Sequence, residues 1–206
     1  MGRHTRWILL GAAIATAGCS DSTGEGGGNG PPTALLLSAA APSLCADSTG
    51  AWFKKDPAGQ DSAIALVFPE VPPDCQGNTE DFVRLELKNI SLLRYPDGNL
   101  IANGDSVFIS LKWVGNDSIL FELKPTGLQF DPDNPAKLKI EYDEAGDDLN
   151  DDGDVDAEDD DVEHRLDIFR QAQPGAPWVP IGTGKIEGSN EIEAKLYGFS
   201  RFMIAY

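Results

Sequence analysis

Five segments of this chain place an apolar residue at every second position, and that period is the strongest constraint on its fold. Val83, Leu85 and Leu87 alternate with Arg84, Glu86 and Lys88; Val107, Ile109, Leu111 and Trp113 alternate with Phe108, Ser110 and Lys112. Ile119, Phe121 and Leu123 follow, then Leu138, Ile140 and Tyr142 among Lys137, Lys139 and Glu141, and Ile192, Ala194 and Leu196 among Glu191, Glu193 and Lys195. Successive side chains of a strand point to opposite faces, so each run has one face for a core and one for water. Phe202–Tyr206 reads as a closing strand. Turn formers such as Pro96-Asp97-Gly98, Asn103-Gly104 and Pro125-Thr126-Gly127 separate the runs, and no convincing amphipathic helix lies between them. The expected fold is all-β: an antiparallel β-sandwich with at most one short helix.

The N-terminus carries a different signal. Arg3, His4 and Arg6 precede an apolar run from Trp7 to Ala17, eleven residues long. A spanning helix needs about 20, so the run reads as a secretory signal. It ends in Thr16-Ala17-Gly18-Cys19, which resembles the lipobox of bacterial lipoproteins, in which the cysteine is lipidated and becomes the new N-terminus. The resemblance implies a signal peptide over 1–18, lipidation of Cys19, and, because Ser20 rather than Asp follows, an outer-membrane destination. Residues 19–44 are expected to hold the lipidated Cys and a flexible tether. Ser20–Pro32 is Gly/Ser-rich, whereas Thr33–Ser43 reads equally as loose chain or as an edge strand. Residues 45–206 then form the sandwich. The other two cysteines, Cys45 and Cys75, are expected to pair in an oxidising compartment.

Within 206 residues there are 34 Asp and Glu against 16 Lys and Arg, a formal charge of −18. That balance argues against nucleic acid and against anionic lipid head groups as partners of the folded part. The expected membrane contact is through the lipid alone, and the expected state is a monomer. The charge is local: Glu141 to Glu163 holds fourteen acidic residues and no basic one, and without it the balance would be −4.

This stretch contains Asp148-Leu149-Asn150-Asp151-Asp152-Gly153-Asp154-Val155-Asp156-Ala157-Glu158-Asp159. Oxygen-bearing residues fall at positions 1, 3, 5, 9 and 12, glycine at 6 and an aliphatic residue at 8, the pattern of an EF-hand loop closed by Asp instead of Glu. Such a loop supplies Ca²⁺ with about 6–8 oxygens. Asp148, Asn150 and Asp152 converge as side chains, Gly153 makes the turn that aims the Asp154 carbonyl, Asp156 acts directly or through water, and Asp159 closes the shell. Val155 is expected to pin the loop to apolar neighbours, and a short helix to run over about Ala157–Val162. The acidic loop as a whole is placed at 143–161, inserted in a sandwich hairpin. It resembles the calcium loop of dockerin modules. There is one loop instead of a dockerin's two, so docking to a cohesin-like partner is not implied.

A third resemblance covers about residues 80 to 206. Gly127-Leu128-Gln129-Phe130-Asp131-Pro132, Leu138-Lys139-Ile140-Glu141-Tyr142, Trp178-Val179-Pro180-Ile181 and Gly198-Phe199-Ser200-Arg201-Phe202 are similar to motifs of ZU5-like β-sandwich domains. Some ZU5-type domains cleave themselves at His-Phe-Ser; here Gly198 stands where that histidine would be, which leaves Ser200 without an adjacent base. No G-x-S-x-G, H-E-x-x-H, P-loop or G-x-G-x-x-G occurs. His164 is the one histidine after Cys19 and reads as a surface residue. No catalytic residue is expected. The functional expectation is a non-enzymatic calcium-binding envelope lipoprotein. The alternative is a carbohydrate- or protein-binding module using exposed aromatics, for which Trp52, Trp113 and Trp178 are the candidates.

Overall fold

The computed structural model describes residues 31–185 and 189–206; the signal segment and Cys19 lie outside them. Among the described residues the strands in chain order are β1 (Ser48–Lys54), β2 (Ser62–Pro69), β3 (Thr79–Leu87), β4 (Leu92–Arg94), β5 (Ser106–Trp113), β6 (Leu120–Lys124) and β7 (Gln129–Phe130). They continue as β8 (Ala136–Glu141), β9 (Asp167–Gln171), β10 (Trp178–Pro180), β11 (Gly184–Lys185), β12 (Glu191–Leu196) and β13 (Arg201–Ala205), with one α-helix, α1 (Ala157–Arg165), before β9. Two antiparallel sheets result, one in the order β1-β5-β6-β13-β9-β10 and one in the order β11-β12-β8-β3-β2; β4 and β7 form a small separate ladder. The expectation of an all-β antiparallel sandwich holds.

The alternating runs bury the expected sides. Val83, Leu85, Ile109, Leu111, Leu138, Ile140 and Ile192 are all fully buried, while Glu86, Lys112, Lys137 and Lys195 stay on the outer faces. β3 and β13 show how strict alternation is broken. In β3 the register slips between Leu66 and Val67 of β2, so Phe82 and Val83 are both buried, and the Phe82 ring packs 4.8 Å from that of Phe68. A bulge of this kind turns an extra side chain inward. In β13, Phe202, Met203, Ile204 and Ala205 are buried consecutively, because this strand runs between β6 and β9 and is covered on both faces.

The segment that pairs with the end of β13 corrects the tether boundary. Leu35 is fully buried; its N–H donates to the Ile204 carbonyl at 3.0 Å and its carbonyl accepts from Ile119 at 3.0 Å. The body therefore begins near residue 31, not 45. Burying Leu35 and pairing its backbone outweighs the entropy a free tether would keep. Farther along, the expected disulfide between Cys45 and Cys75 is present, with Cα atoms 5.5 Å apart.

Registers place the two ends of the sandwich. β8 ends at Glu141 where β12 begins at Glu191, and β13 ends at Ala205 opposite Asp167, the start of β9. The acidic segment joins these points. Because β8 and β9 belong to different sheets, it is a crossover between sheets, not an insertion in a hairpin as expected. The other end of the same five-stranded sheet carries Ser62, Leu87, Ala136 and Leu196.

Candidate metal centre

Residues 147–156 form an irregular loop between the short 3-10 turn Asp143–Ala145 and α1. Its shape follows from side chains that capture backbone amides, as short Asp and Asn side chains do. Asp148 accepts from the N–H groups of Asp152 at 3.1 Å and Gly153 at 2.9 Å, one on each carboxylate oxygen. Asn150 Oδ1 accepts from Asp152 N at 2.9 Å, and Asp152 Oδ1 from Asp154 N at 3.0 Å. The first, third and fifth positions are thus tied together through adjacent amides. Gly153 has φ +95°, and no neighbour would meet a Cβ there. The need for glycine is conformational, not steric. Asp151, at φ 59°, also takes the left-handed region, which Asp tolerates better than most residues.

Asp159, the twelfth position, is 4% exposed. Its Oδ1 accepts from Leu149 N at 2.7 Å and Asn150 N at 3.2 Å, and its Oδ2 from Asp156 N at 2.9 Å. These backbone donors, that of Asp156 first, hold its carboxyl below the usual range. The loop is therefore closed on itself, the last position reaching back to the second and third. Asp156 caps α1, its Oδ1 accepting from Glu158 N at 2.8 Å, and with Asp159 it completes a capping box. Such a box satisfies amides that a helix start leaves without partners. The helix runs to Arg165, three residues past the expected Val162. Tyr142, buried at the end of β8, donates its hydroxyl to Glu163 Oε1 at 3.0 Å and ties the sheet to the last turn of α1.

The role expected for Val155 is not observed: it is 67% exposed. Leu149 provides the apolar anchor instead, packing against the core that also holds Ala145, Val162 and Leu166. Spacing marks where an aliphatic residue belongs in such a loop, but its neighbours come from the rest of the fold. The six sequence-derived ligands, Asp148, Asn150, Asp152, Asp154, Asp156 and Asp159, share one loop and a common network. No three of the five carboxylates among them gather within 4.8 Å of one another. Among the described residues, the group that does is Glu80, Glu141 and Asp143.

That second acidic group sits where β3, β8 and the 3-10 turn meet. Burial, then Glu80, Glu191, Asp81 and Asp143, push the Glu141 carboxyl up to about 7. Burial, then Glu80 and Asp143, also raise Glu144. Glu141 and Glu191 are register partners, and like charges directly opposite each other destabilise a ladder. No local pattern announces this group, since Glu80 lies some sixty residues before Glu141 and Asp143 and reaches them only through strand pairing.

A pH dependence follows. A carboxyl whose folded value lies above its unfolded one costs nothing below about pH 4.5, where both states are protonated. The cost grows as pH rises from there through 7 and is complete above that. With solvent screening at this half-exposed site, it amounts to about 1 kcal/mol. Glu141→Gln is expected to stabilise the domain by about that much at pH 8 and hardly at all at pH 4. Urea titrations in chelator at both pH values check this; the same increment at both would reject it.

The other sequence candidates are widely separated. Ser200 is buried, and its hydroxyl accepts from Arg170 Nε at 2.8 Å; Phe199 is buried against the Phe130 ring at 4.9 Å. His164 is exposed on α1. Trp113 is partly buried and donates its indole N–H to the Ser118 carbonyl at 2.9 Å, and Trp178 is half-buried. Trp52 is 71% exposed beside Phe108, with ring centroids 5.6 Å apart. It lies on the edge strand β1, separated from β9 by three intervening strands. No exposed tryptophan cluster therefore lies beside the acidic loop, but neither are all three tryptophans buried. No protein-family model, no curated protein and no solved structure matches this chain.

Proposed function

We propose that this protein is a non-enzymatic, calcium-binding lipoprotein of the bacterial cell envelope, in which Ca²⁺ orders the crossover between the two sheets of a ZU5-like sandwich. The observation that carries the reading is the Asp148–Asp159 loop. Its ligand spacing coincides with a backbone closed by Asp159 on the amides of Leu149 and Asn150. Asp148, Asn150 and Asp152 would supply side-chain oxygens, Asp154 a carbonyl, and Asp156 a direct or water-bridged contact. Oxygen-only donors at this number suit a hard cation that accepts irregular geometry, which favours Ca²⁺ over Mg²⁺. Isothermal titration with each ion tests it: Ca²⁺ is expected to bind once per chain and more tightly than Mg²⁺. No heat of binding for Ca²⁺ up to about 10 mM, beyond the weak range of extracellular loops, would reject the site.

Anchoring belongs to the same proposal. Cys19→Ser is expected to move the protein from the membrane fraction to the soluble fraction, because a lipid chain contributes roughly 0.8 kcal/mol per buried CH₂ and the acidic body offers no substitute. Continued membrane association of that variant, with no acyl chain on the wild type by mass spectrometry, would overturn it. A second reading, a glycan- or protein-binding module, draws support from the exposed Trp52–Phe108 pair.

A further inference from the structure

On the outer face of β8 and β12 two like-charged pairs flank the mixed pair Lys139 and Glu193, and Lys139 also reaches Glu191 at 3.6 Å. At the end next to the acidic loop, Glu141 and Glu191 stand opposite each other; at the other end, Lys137 and Lys195 do. Like charges in direct register cost stability, and interchanging one residue of each pair would remove both repulsions. Lys137 relieves its side through Glu193, at 3.2 Å. Lys195 is exposed and has neither an ion-pair nor a hydrogen-bond partner among the described residues. In a chain with twice as many acids as bases, a lysine pair left in this state is a place for an anion.

The lysine pair lines a groove of about 700 Å³, running from β2 to β12 at the end far from the acidic loop. The groove has three further features. Tyr197, 56% exposed, offers a flat ring at one side. Asp61 and Asp133 stand on the lips, raised by the loops before β2 and β8. The floor is rigid sheet, with Arg84 already held by Asp81 at 3.0 Å and Glu86 at 2.9 Å. The volume suits a ligand of several rings.

From these features we infer that the groove binds an acidic glycan, a chain of uronic-acid sugars. Each feature then has a counterpart. Tyr197 packs on the C–H face of a pyranose ring, Asp61 and Asp133 accept from sugar hydroxyls, and Lys137 and Lys195 share a carboxylate. An acidic peptide lacks the ring hydroxyls that donate to the two aspartates and the pyranose face that packs on Tyr197. A neutral glycan would leave the lysine repulsion in place. The inference does not depend on calcium at the Asp148–Asp159 loop.

The test is titration calorimetry with a galacturonic-acid hexamer, in chelator so that Ca²⁺ cannot bridge. Maltohexaose and hexaglutamate serve as the neutral-sugar and peptide comparisons. One hexamer is expected to bind per chain, more tightly than either comparison and more weakly as salt rises. Lys195→Gln and Tyr197→Ala should each weaken binding about tenfold or more. Lys112→Gln, on the outer face of the other sheet, should leave it unchanged. All three positions are at the surface, so unchanged melting temperatures confirm that the variants fold. Absence of binding at about 5 mM hexamer, hexaglutamate binding as tightly as the hexamer, maltohexaose doing so, or indifference to Lys195→Gln would each overturn the inference.

Discussion

The melting temperature of the domain is expected to rise by about 5–10 °C when Ca²⁺ is raised from chelator levels to a hundred times Kd. At that saturation, an ion bound only to the folded state adds roughly 2.7 kcal/mol, and a domain of this size gains about 2–4 °C per kcal/mol. Asp148→Ala and Asp152→Ala should remove most of that rise, since each deletes a charged ligand. Asp160→Ala, just past the twelfth position and exposed on α1, should keep it. Asp159→Ala should behave differently from all three. Its carboxylate holds the amides of Leu149, Asn150 and Asp156, so its loss should lower stability with or without Ca²⁺. Calorimetry across a calcium series checks the set. Equal loss of response from Asp148→Ala and Asp160→Ala would mean that the segment acts only as diffuse negative charge. A melting temperature indifferent to Ca²⁺ would remove a stabilising site altogether.

Loss of the disulfide is the second large effect. Cys45 and Cys75 are 30 residues apart, and closing a loop of that length restricts the unfolded chain by about 3–4 kcal/mol on the chain-entropy model. The bridge fastens the segment before β1 to the connection between β2 and β3; β1 and β2 are edge strands, one in each sheet. The Cys45→Ala/Cys75→Ala double variant is expected to melt about 10 °C lower. The urea midpoint should fall accordingly, and reductant should have no further effect on the variant. Neither cysteine of the wild type should take a thiol label in non-reducing denaturant. Ready labelling of both, or a variant as stable as the wild type, would contradict the prediction.

Much of the sandwich was legible because a strand's two faces are written two residues apart. Val83, Leu85, Leu138 and Ile192 declare their burial locally, and no knowledge of their partners is needed. The twelve-residue loop was legible for a similar reason: its Asp, Asn and Gly positions answer to one short backbone path, and the amides they capture lie within ten residues. The misread features are those in which a local signal needs a distant partner. Val155 carries the right residue type at the right spacing, but the core beneath the loop receives Leu149. Leu35 lies in a segment whose composition suits loose chain as well as strand, and the waiting carbonyl of Ile204 settles the choice.

The amino-acid sequence alone therefore determined the strand faces, the pairing of the two body cysteines and the acidic loop, because each rests on periodicity, counting or contiguous spacing. The tertiary structure alone decided which sheet each strand joins, and with it the crossover that carries the loop. It also decided that Glu80 meets Glu141 and Asp143, and that Lys195 lies beside Lys137 in the lining of a groove. Strand register is a long-range choice, made by summed burial over whole sheets. Charges on the outer faces are carried to their partners by that choice, and nothing in their own neighbourhood of the chain records where they will arrive.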